Sequence, residues 1–284
     1  QKDRMKKALI IINISKDTSM SLAKQIGDFL KAKKIHFDFL SFDGFSDNPK
    51  FSCYDFVITL GGDGTVLFAA RNSVEADIPV FPVNLGEFGF IASIQPEEWK
   101  TELENYLDGR CEIEGRLMIK VCVQRDGKTV YSSFGLNDVV ISAKGAATTV
   151  SLAVKYNNNP LCRLKADGAI VSTPTGSTAY SASAGGPIVG PNIDVLVLTP
   201  LNAFSLSSRP IILNPDGKLD ISVEKCRTKE LIVTIDGQEP FLMQLGDTVS
   251  VSKYEKSIKL ISCTTEKFYN ALRSKLNWSG VPHA

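Results

Sequence analysis

Residues 57–71 read VITLGGDGTVLFAAR: an apolar run, a glycine turn, then a helical pattern. Glycines at such a turn let backbone amides approach an anion closely, and the following helix N-terminus adds positive potential. The loop therefore has the chemistry of a phosphate cradle, yet Asp63 stands in its middle. It matches neither GxxxxGK[ST] nor GxGxxG, the two commonest nucleotide loops. Two readings follow. Either GGDG is a tight strand-to-helix turn with Asp63 as the helix cap, or its amides point at an anion and the carboxylate has a task of its own.

A second stretch, STPTGSTAYSASAGGPI at 172–188, is dense in small and hydroxyl residues, and no charge stands between Asp167 and Asp194. It reads as a long surface loop or as the wall of a polar, uncharged pocket. A pocket of that kind suits a flat, mostly apolar ring with polar edges, such as adenine. Thr178 would meet a ring nitrogen, Ala179 would let the ring approach, and Tyr180 would offer an aromatic face and a hydroxyl. Asn137-Asp138, directly before the apolar run VVIS, is a third candidate, with a turn between strands as the plainer reading. IDGQEP at 235–240 reads on spacing as a hairpin turn.

Other chemistries are disfavoured. The chain holds two histidines, His36 in a basic segment and His283 beside the C-terminus. A Ser-His-Asp triad or a His-rich zinc site is not expected, so a proton-transfer enzyme here would use a carboxylate. None of the six cysteines forms a CxxC pair. Cys122 and Cys263 fall in strand-like runs as small core residues, and a reducing cytoplasm is the expected location. A net charge of +1 gives no broad basic field for nucleic acid, and no apolar run is long enough for a membrane span. The opening QKDRMKKALIIINIS does not read as a secretory leader. Two readings stay open for residues 1–4, one of them leftover sequence before a native start at Met5.

At 284 residues the chain can carry two cores. The first third alternates types: ALIIINIS a strand, Ser19 to Lys33 a helix with Leu22, Ile26, Phe29 and Leu30 on one face, FDFLSF and YDFVITL strands, VLFAARNSVEA a helix, IPVFPVNLG a strand. That alternation predicts a parallel sheet with helices on its faces. Past residue 103 the pattern becomes strand-rich. RLMIKVCVQ and TVYSSFGLNDVVIS read as two strands around RDGK, and VSLAVKYNNNPLCRLKADGAIVS as a hairpin with NNN at its tip. DVLVLTPL, LDISVEK, LIVTIDGQ and the pair TVSVSKY and IKLIS continue the theme, which predicts a sandwich. TTEKFYNALRSKLNW, with a threonine cap, reads as a closing helix.

Taken together, GGDGT at 61–65, NLGEFGF at 84–90, LND at 136–138, DGAIVSTPTGSTAYSASAGGP at 167–187, LSSRP at 206–210 and DGQ at 236–238 resemble the NAD kinase family. GGDGT alone is shared with phosphofructokinases and lipid kinases; the PTGSTAYS segment and the order of the motifs are specific. The chain departs from the family pattern at Phe88 and Ile91, at Asp138 where Glu is usual, at Lys165 where Arg is common, and at Phe204 where His is common.

The resemblance implies phosphoryl transfer from ATP, or another donor, to the 2′-hydroxyl of the adenosine ribose of NAD. It implies a divalent metal cation such as Mg, with no protein residues assigned as its ligands. It also implies a homodimer or homotetramer, with no nucleic-acid or membrane partner. The implied fold is an α/β domain with a Rossmann-like parallel sheet at 1–103, an all-β sandwich that binds NAD at 104–264, and a C-terminal helix at 265–284 packing back on the first domain. Asp63 is the implied base. Gly61, Gly62, Gly64 and Thr65 are implied nucleotide contacts, as are Asn84, Gly86 and Phe90 of the second motif. Asn137 and Asp138 would hold ribose hydroxyls. Lys165 and Asp167 stand before the long loop, which would contribute Thr175, Ser177, Thr178, Ala179, Tyr180 and Ser183, and Gln238 follows. The competing functions are another GGDGT-type kinase acting on a lipid or sugar, and a non-catalytic dinucleotide-binding protein.

Overall fold

The computed structural model describes residues 6–44, 51–86, 89–144, 149–226 and 230–276. Residues 1–4, Met5, Phe88 and His283 lie outside these. The chain begins β1 (Lys7–Asn13), α1 (Ser19–Ala32), β2 (His36–Phe42), β3 (Phe56–Gly61), α2 (Asp63–Ser73), β4 (Val80–Asn84), α3 (Trp99–Leu107), β5 (Ile113–Arg116). Then come β6 (Ile119–Arg125), β7 (Lys128–Gly135), β8 (Asp138–Ala143), β9 (Val150–Tyr156), β10 (Asn159–Ala166), β11 (Gly168–Ser172) and the short α4 (Tyr180–Ser183). The chain continues through β12 (Leu196–Leu201), β13 (Ile211–Leu213), β14 (Leu219–Cys226), β15 (Leu231–Ile235), β16 (Phe241–Met243) and β17 (Thr248–Lys253). It closes with β18 (Ile258–Ile261) and α5 (Thr265–Leu276).

Two compact units result, Gln1–Arg116 with Lys256–Ala284, and Leu117–Glu255. In the first, a six-stranded sheet runs β2-β1-β3-β4-β18-β5. The pairs from β2 to β18 are parallel, and β5 is antiparallel to β18. β3 and β4 are buried along their whole length, as expected of parallel strands covered on both faces. α1 lays Leu22, Ala23, Ile26 and Leu30 on this core. α5 belongs to the same unit, through Phe268 and Ala271, and Thr264 caps it by accepting the Lys267 N–H at 3.3 Å. The order places β2 and β3 on opposite sides of β1, so the connection reverses at the C-terminal ends of β1 and β3. Open α/β sheets bind ligands at such a point.

The second unit packs sheet β10-β9-β14-β17-β6-β7 and sheet β13-β12-β11-β8-β15-β16 around one apolar core. Their pairings are antiparallel. Alternating strands such as β6 and β14 turn every second residue inward, as a sandwich requires. Its hairpin turns use residues that tolerate positive φ: Asp126-Gly127, Asn157-Asn158 and Asp236-Gly237.

Several elements differ from the sequence reading. TVYSSFGLNDVVIS is two strands, β7 and β8, split at Leu136-Asn137, and the hairpin through NNN continues after Asp167 into a third strand, β11. α3 lies in a stretch that showed no clear apolar face, because only Trp99 and Leu103 are buried in it. The units meet at 116/117 and 255/256, where the sequence boundaries stood at 103/104 and 264/265. β5 and β18 are short strands that extend the first sheet, and a strand-rich stretch reads the same in either unit.

Candidate functional site

In the first unit, β3 delivers Gly61 and Gly62 to the start of α2. Gly62 caps the helix, and Asp63 is its first residue rather than its cap. The Asp63 side chain turns away from the helix amides. Its Oδ1 accepts the N–H groups of Ile91 at 3.2 Å and Ala92 at 2.9 Å, and its Oδ2 accepts Phe90 N–H at 3.0 Å. A carboxylate has about four acceptor positions. Three are occupied, so Oδ2 keeps one open. Gly89 belongs to the same arrangement, since a Cβ there would collide with the Asp63 carboxylate.

The loop that holds Asp63 is itself braced. Cys263 donates its thiol to Ile91 O at 3.6 Å, and the buried Arg116 guanidinium donates to Cys263 O at 2.6 Å. Ser93 Oγ donates to Ser262 O at 3.0 Å. The Phe90 ring lies 5.9 Å from that of Phe268 on α5, beneath the Lys275 ammonium.

The loop glycines divide by cause. A Cβ on Gly61 would strike Thr65 Oγ1, so the fold itself requires that glycine. A Cβ on Gly62 or Gly64 would meet nothing within 4 Å, and neither residue has positive φ. Packing and backbone conformation leave these two positions free. Thr65 is 1% exposed, and its hydroxyl accepts from Asn13 Nδ2 at 3.3 Å, so it fastens the loop to the end of β1. Asn84, also buried, holds Gly86 through its side-chain amide.

In the second unit the focus is Asn137 and Asp138, at the start of β8. Asp236 sits at the left-handed position of the β15–β16 turn, with φ 50°. Its carboxylate accepts the N–H groups of Leu136, Asn137 and Asp138 at 2.9, 2.8 and 3.2 Å. Thr173 Oγ1 donates to Leu136 O at 2.5 Å and accepts Gly176 N–H at 3.1 Å. Gly176 packs so closely that a Cβ would strike the Asn137 carbonyl. The segment is thus gripped from both sides, and Asn137 Oδ1 is left buried without a hydrogen-bond partner. Asp138 is 4% exposed. Burial, and then the neighbouring Asp236 charge, push its carboxyl up to about 7.

A cavity of about 440 Å³ opens here, lined by Asn137, Asp138, Val140, Ala179, Tyr180, Thr234, Asp236 and Gly237. Its wall includes part of the hydroxyl-rich stretch, which is wound into a helical turn at Thr175–Thr178 followed by α4. Thr178 Oγ1 donates to Thr175 O at 3.1 Å. Ser177 is fully buried, its hydroxyl donating to Pro174 O at 2.7 Å and accepting Val189 N–H at 2.9 Å, so it closes the loop on itself. Thr175 is buried and Ser183 exposed. Gln238 lies on the Asp236 turn, its side chain donating to Asp236 O at 3.4 Å. Lys165 and Asp167 do not line the cavity. The Lys165 ammonium lies over the Phe204 ring at 4.8 Å, and Asp167 accepts from Asn202 at 3.0 Å.

Asp236, Gly89, Thr173 and Gly176 lie within the motifs quoted from the sequence but were not expected as site residues. Asp236 stood in the DGQ motif and as the Asp-Gly of a hairpin turn, while Gly89 and Gly176 act through close approach and Thr173 through hydrogen bonds to backbone, none of which leaves a periodic signal.

Comparison with known proteins agrees with both halves. Residues 50–111 match the ATP-NAD kinase N-terminal domain and residues 136–263 the ATP-NAD kinase C-terminal domain. An NAD kinase of Treponema denticola is 45% identical over 277 residues, covering 97% of this chain and 98% of its own. The crystal structure of an NAD kinase from Archaeoglobus fulgidus in complex with ATP superposes with TM-score 0.76 at 25% identity, over 96% of this chain and 99% of that one. Yeast NADH kinase complexed with NADH shares the fold, with TM-score 0.89 at 20% identity, over 99% of this chain and 90% of that one. With two matching domains and a relative of this identity along nearly its whole length, the chain belongs to the NAD kinase family.

Proposed function

We propose that this chain phosphorylates the 2′-hydroxyl of the adenosine ribose of NAD, with ATP as donor, and releases NADP and ADP. The observation that carries the reading is the pairing, in one family member, of an open glycine turn around Asp63 with a cavity where a buried Asn137 acceptor has no partner. The second unit would take the nucleoside. Asn137 Oδ1 accepts a ribose hydroxyl, Asp138 accepts or donates beside it, and Ala179 and Tyr180 bound the ring. The first unit would take the donor phosphates on the amides of Gly62 to Gly64, since the Thr65 amide already donates to Gly62 O.

In the reaction the ribose oxygen attacks the terminal phosphorus, and the bond from that phosphorus to the bridging oxygen of ADP breaks. The hydroxyl proton passes to Asp63 Oδ2 through its open acceptor position. In a loose transition state this proton leaves late, so Asp63 acts by orienting the hydroxyl as much as by basicity. A divalent cation, held through the donor's own phosphates, would supply charge neutralisation there. Among the described residues no three His, Cys, Asp or Glu side chains converge, and Mg²⁺ commonly binds through substrate phosphates with few protein ligands.

We also place the protein in the cytoplasm, where its six free thiols would stay reduced, and as a homodimer or homotetramer. The exposed Phe204 and Leu206 of the second unit fit burial in an assembly. Light scattering on a sizing column measures that state.

Incubation with NAD and Mg-ATP, with NADP read by an NADP-specific dehydrogenase, tests the activity. Steady NADP formation is expected. Tight NAD binding without turnover would favour a dinucleotide-binding protein, and phosphorylation of diacylglycerol or a sugar instead would favour another GGDGT kinase.

A further inference from the structure

The β1–α1 connection carries a cation that the motif analysis did not single out. Asn13 ends β1, and its side-chain Oδ1 accepts both Ser15 N–H at 3.0 Å and Ser15 Oγ–H at 2.6 Å. Lys16 N–H donates to Asn13 O at 3.2 Å, and Lys16 O accepts Ser19 N–H at 3.0 Å. These bonds wind residues 13–19 into a tight turn that sends Lys16 back over the strand ends. Asn13 Nδ2 also donates to Thr65 Oγ1 at 3.3 Å, so the turn is fastened to the first turn of α2.

The Lys16 side chain is half-buried, and its ammonium lies 3.4 Å from where a Cβ on Gly86 would sit. Gly86 follows β4, and in the sheet β3 lies between β1 and β4. A side chain that starts beyond β1 and ends beside Gly86 therefore spans the end of β3, where Gly61 and Gly62 stand. No ion pair is recorded for Lys16 among the described residues, whereas Lys7, Lys253 and Lys259 each pair with a carboxylate. A lysine whose only task was solubility would extend into water rather than fold across three strand ends. The glycines it crosses toward, Gly62 and Gly64, have open space where a side chain would be. A cation, open amides and a helix N-terminus converge on this crevice at the sheet's reversal point, and a polyanion supplies what all of them lack.

We propose that Lys16 contacts the donor, its ammonium binding an oxygen of the triphosphate held at residues 61–64. This rests on the NAD kinase reading for the identity of the donor, while the anion site itself does not depend on it. The side chain acts as a flexible point charge, suited to following a phosphate from bound donor to leaving ADP.

Lys16→Met, Lys16→Arg and the unaltered protein should be compared in steady-state kinetics with Mg-ATP and NAD. Calorimetric titration with inorganic triphosphate and thermal melting complete the comparison. Loss of one charge-assisted contact should raise the KM for ATP by roughly 10- to 100-fold in Lys16→Met. The KM for NAD should stay within about twofold, the melting temperature should hold, and Lys16→Arg should recover most of the ATP affinity. Triphosphate should bind the unaltered protein and not Lys16→Met. An ATP KM unchanged in Lys16→Met, or triphosphate binding equal in the two proteins, overturns the assignment. If the unaltered protein made no NADP yet bound triphosphate through Lys16, the NAD kinase reading would fail and the lysine's role would stand.

Discussion

Asp236 holds the backbone of Asp138 while raising the proton affinity of its side chain. The Asp236 carboxylate takes the amides of residues 136–138, so its charge is fixed beside a second, buried carboxyl that burial and that charge hold near pH 7. Replacing Asp236 by Ala would leave three amides without their acceptor. We expect a loss of roughly 2–4 kcal/mol in unfolding free energy by denaturant titration, and a higher KM for NAD because Asn137 is no longer held.

The same pair gives the protein a pH signature. The folded-state value for Asp138, about 7, stands above its ordinary value of 3.8. Between these values the folded protein holds a proton that the unfolded chain has released. Stability should therefore fall as pH rises from about 4 to 7 and level off above, by up to a few kcal/mol in total. In Asp138→Asn that decline should vanish from melting curves recorded between pH 5 and 8. An identical decline in the variant would assign it to other groups.

The loop glycines should separate by cause. Gly89→Ala forces a Cβ into the Asp63 carboxylate, so kcat should fall at least tenfold as Asp63 is displaced. Gly62→Ala meets no atom of the protein, so its melting temperature should hold within about 2 °C while the KM for ATP rises. A melting loss in Gly62→Ala with unchanged kinetics would make that glycine a folding residue.

Ala179→Trp should fill the cavity beside Tyr180 and abolish NAD binding without unfolding the sandwich, since Ala179 is only half-buried. Calorimetry with NAD and a melting curve on the same sample measure the two effects. Retained affinity in a folded protein would remove the ring from residues 172–187.

Much of this architecture was legible in the sequence. The alternation of LIIINIS, an amphipathic helix and YDFVITL gives the parallel sheet directly, and Asp126-Gly127 and the asparagines at 157–158 announce their turns through the positive φ they tolerate. The GGDGT turn and the uncharged 172–188 stretch pointed to the two regions that the proposed reaction uses. Contacts between distant segments were not legible. Nothing local marks Gly89 as the neighbour of Asp63, or Lys16 as a side chain beside Gly86. Ser177, chosen for its hydroxyl, spends that hydroxyl on Pro174 and Val189, because a wound loop needs internal partners that an extended one does not. β5 and β18 fall in the first unit because sheet membership is decided by pairing rather than by composition.

The central claim is that Asp63 receives the proton of the attacking hydroxyl, and Asp63→Asn tests it most directly. Asparagine keeps an oxygen for the Ile91 and Ala92 amides but cannot accept a proton at the Oδ2 position. NAD and ATP dissociation constants should remain within a few-fold by calorimetry, while kcat, measured with Mg-ATP and an NADP-specific dehydrogenase, should drop by about 10² to 10⁴-fold. A kcat within a few-fold of the unaltered enzyme would contradict the account and leave Asp63 as a brace for residues 90–92 alone.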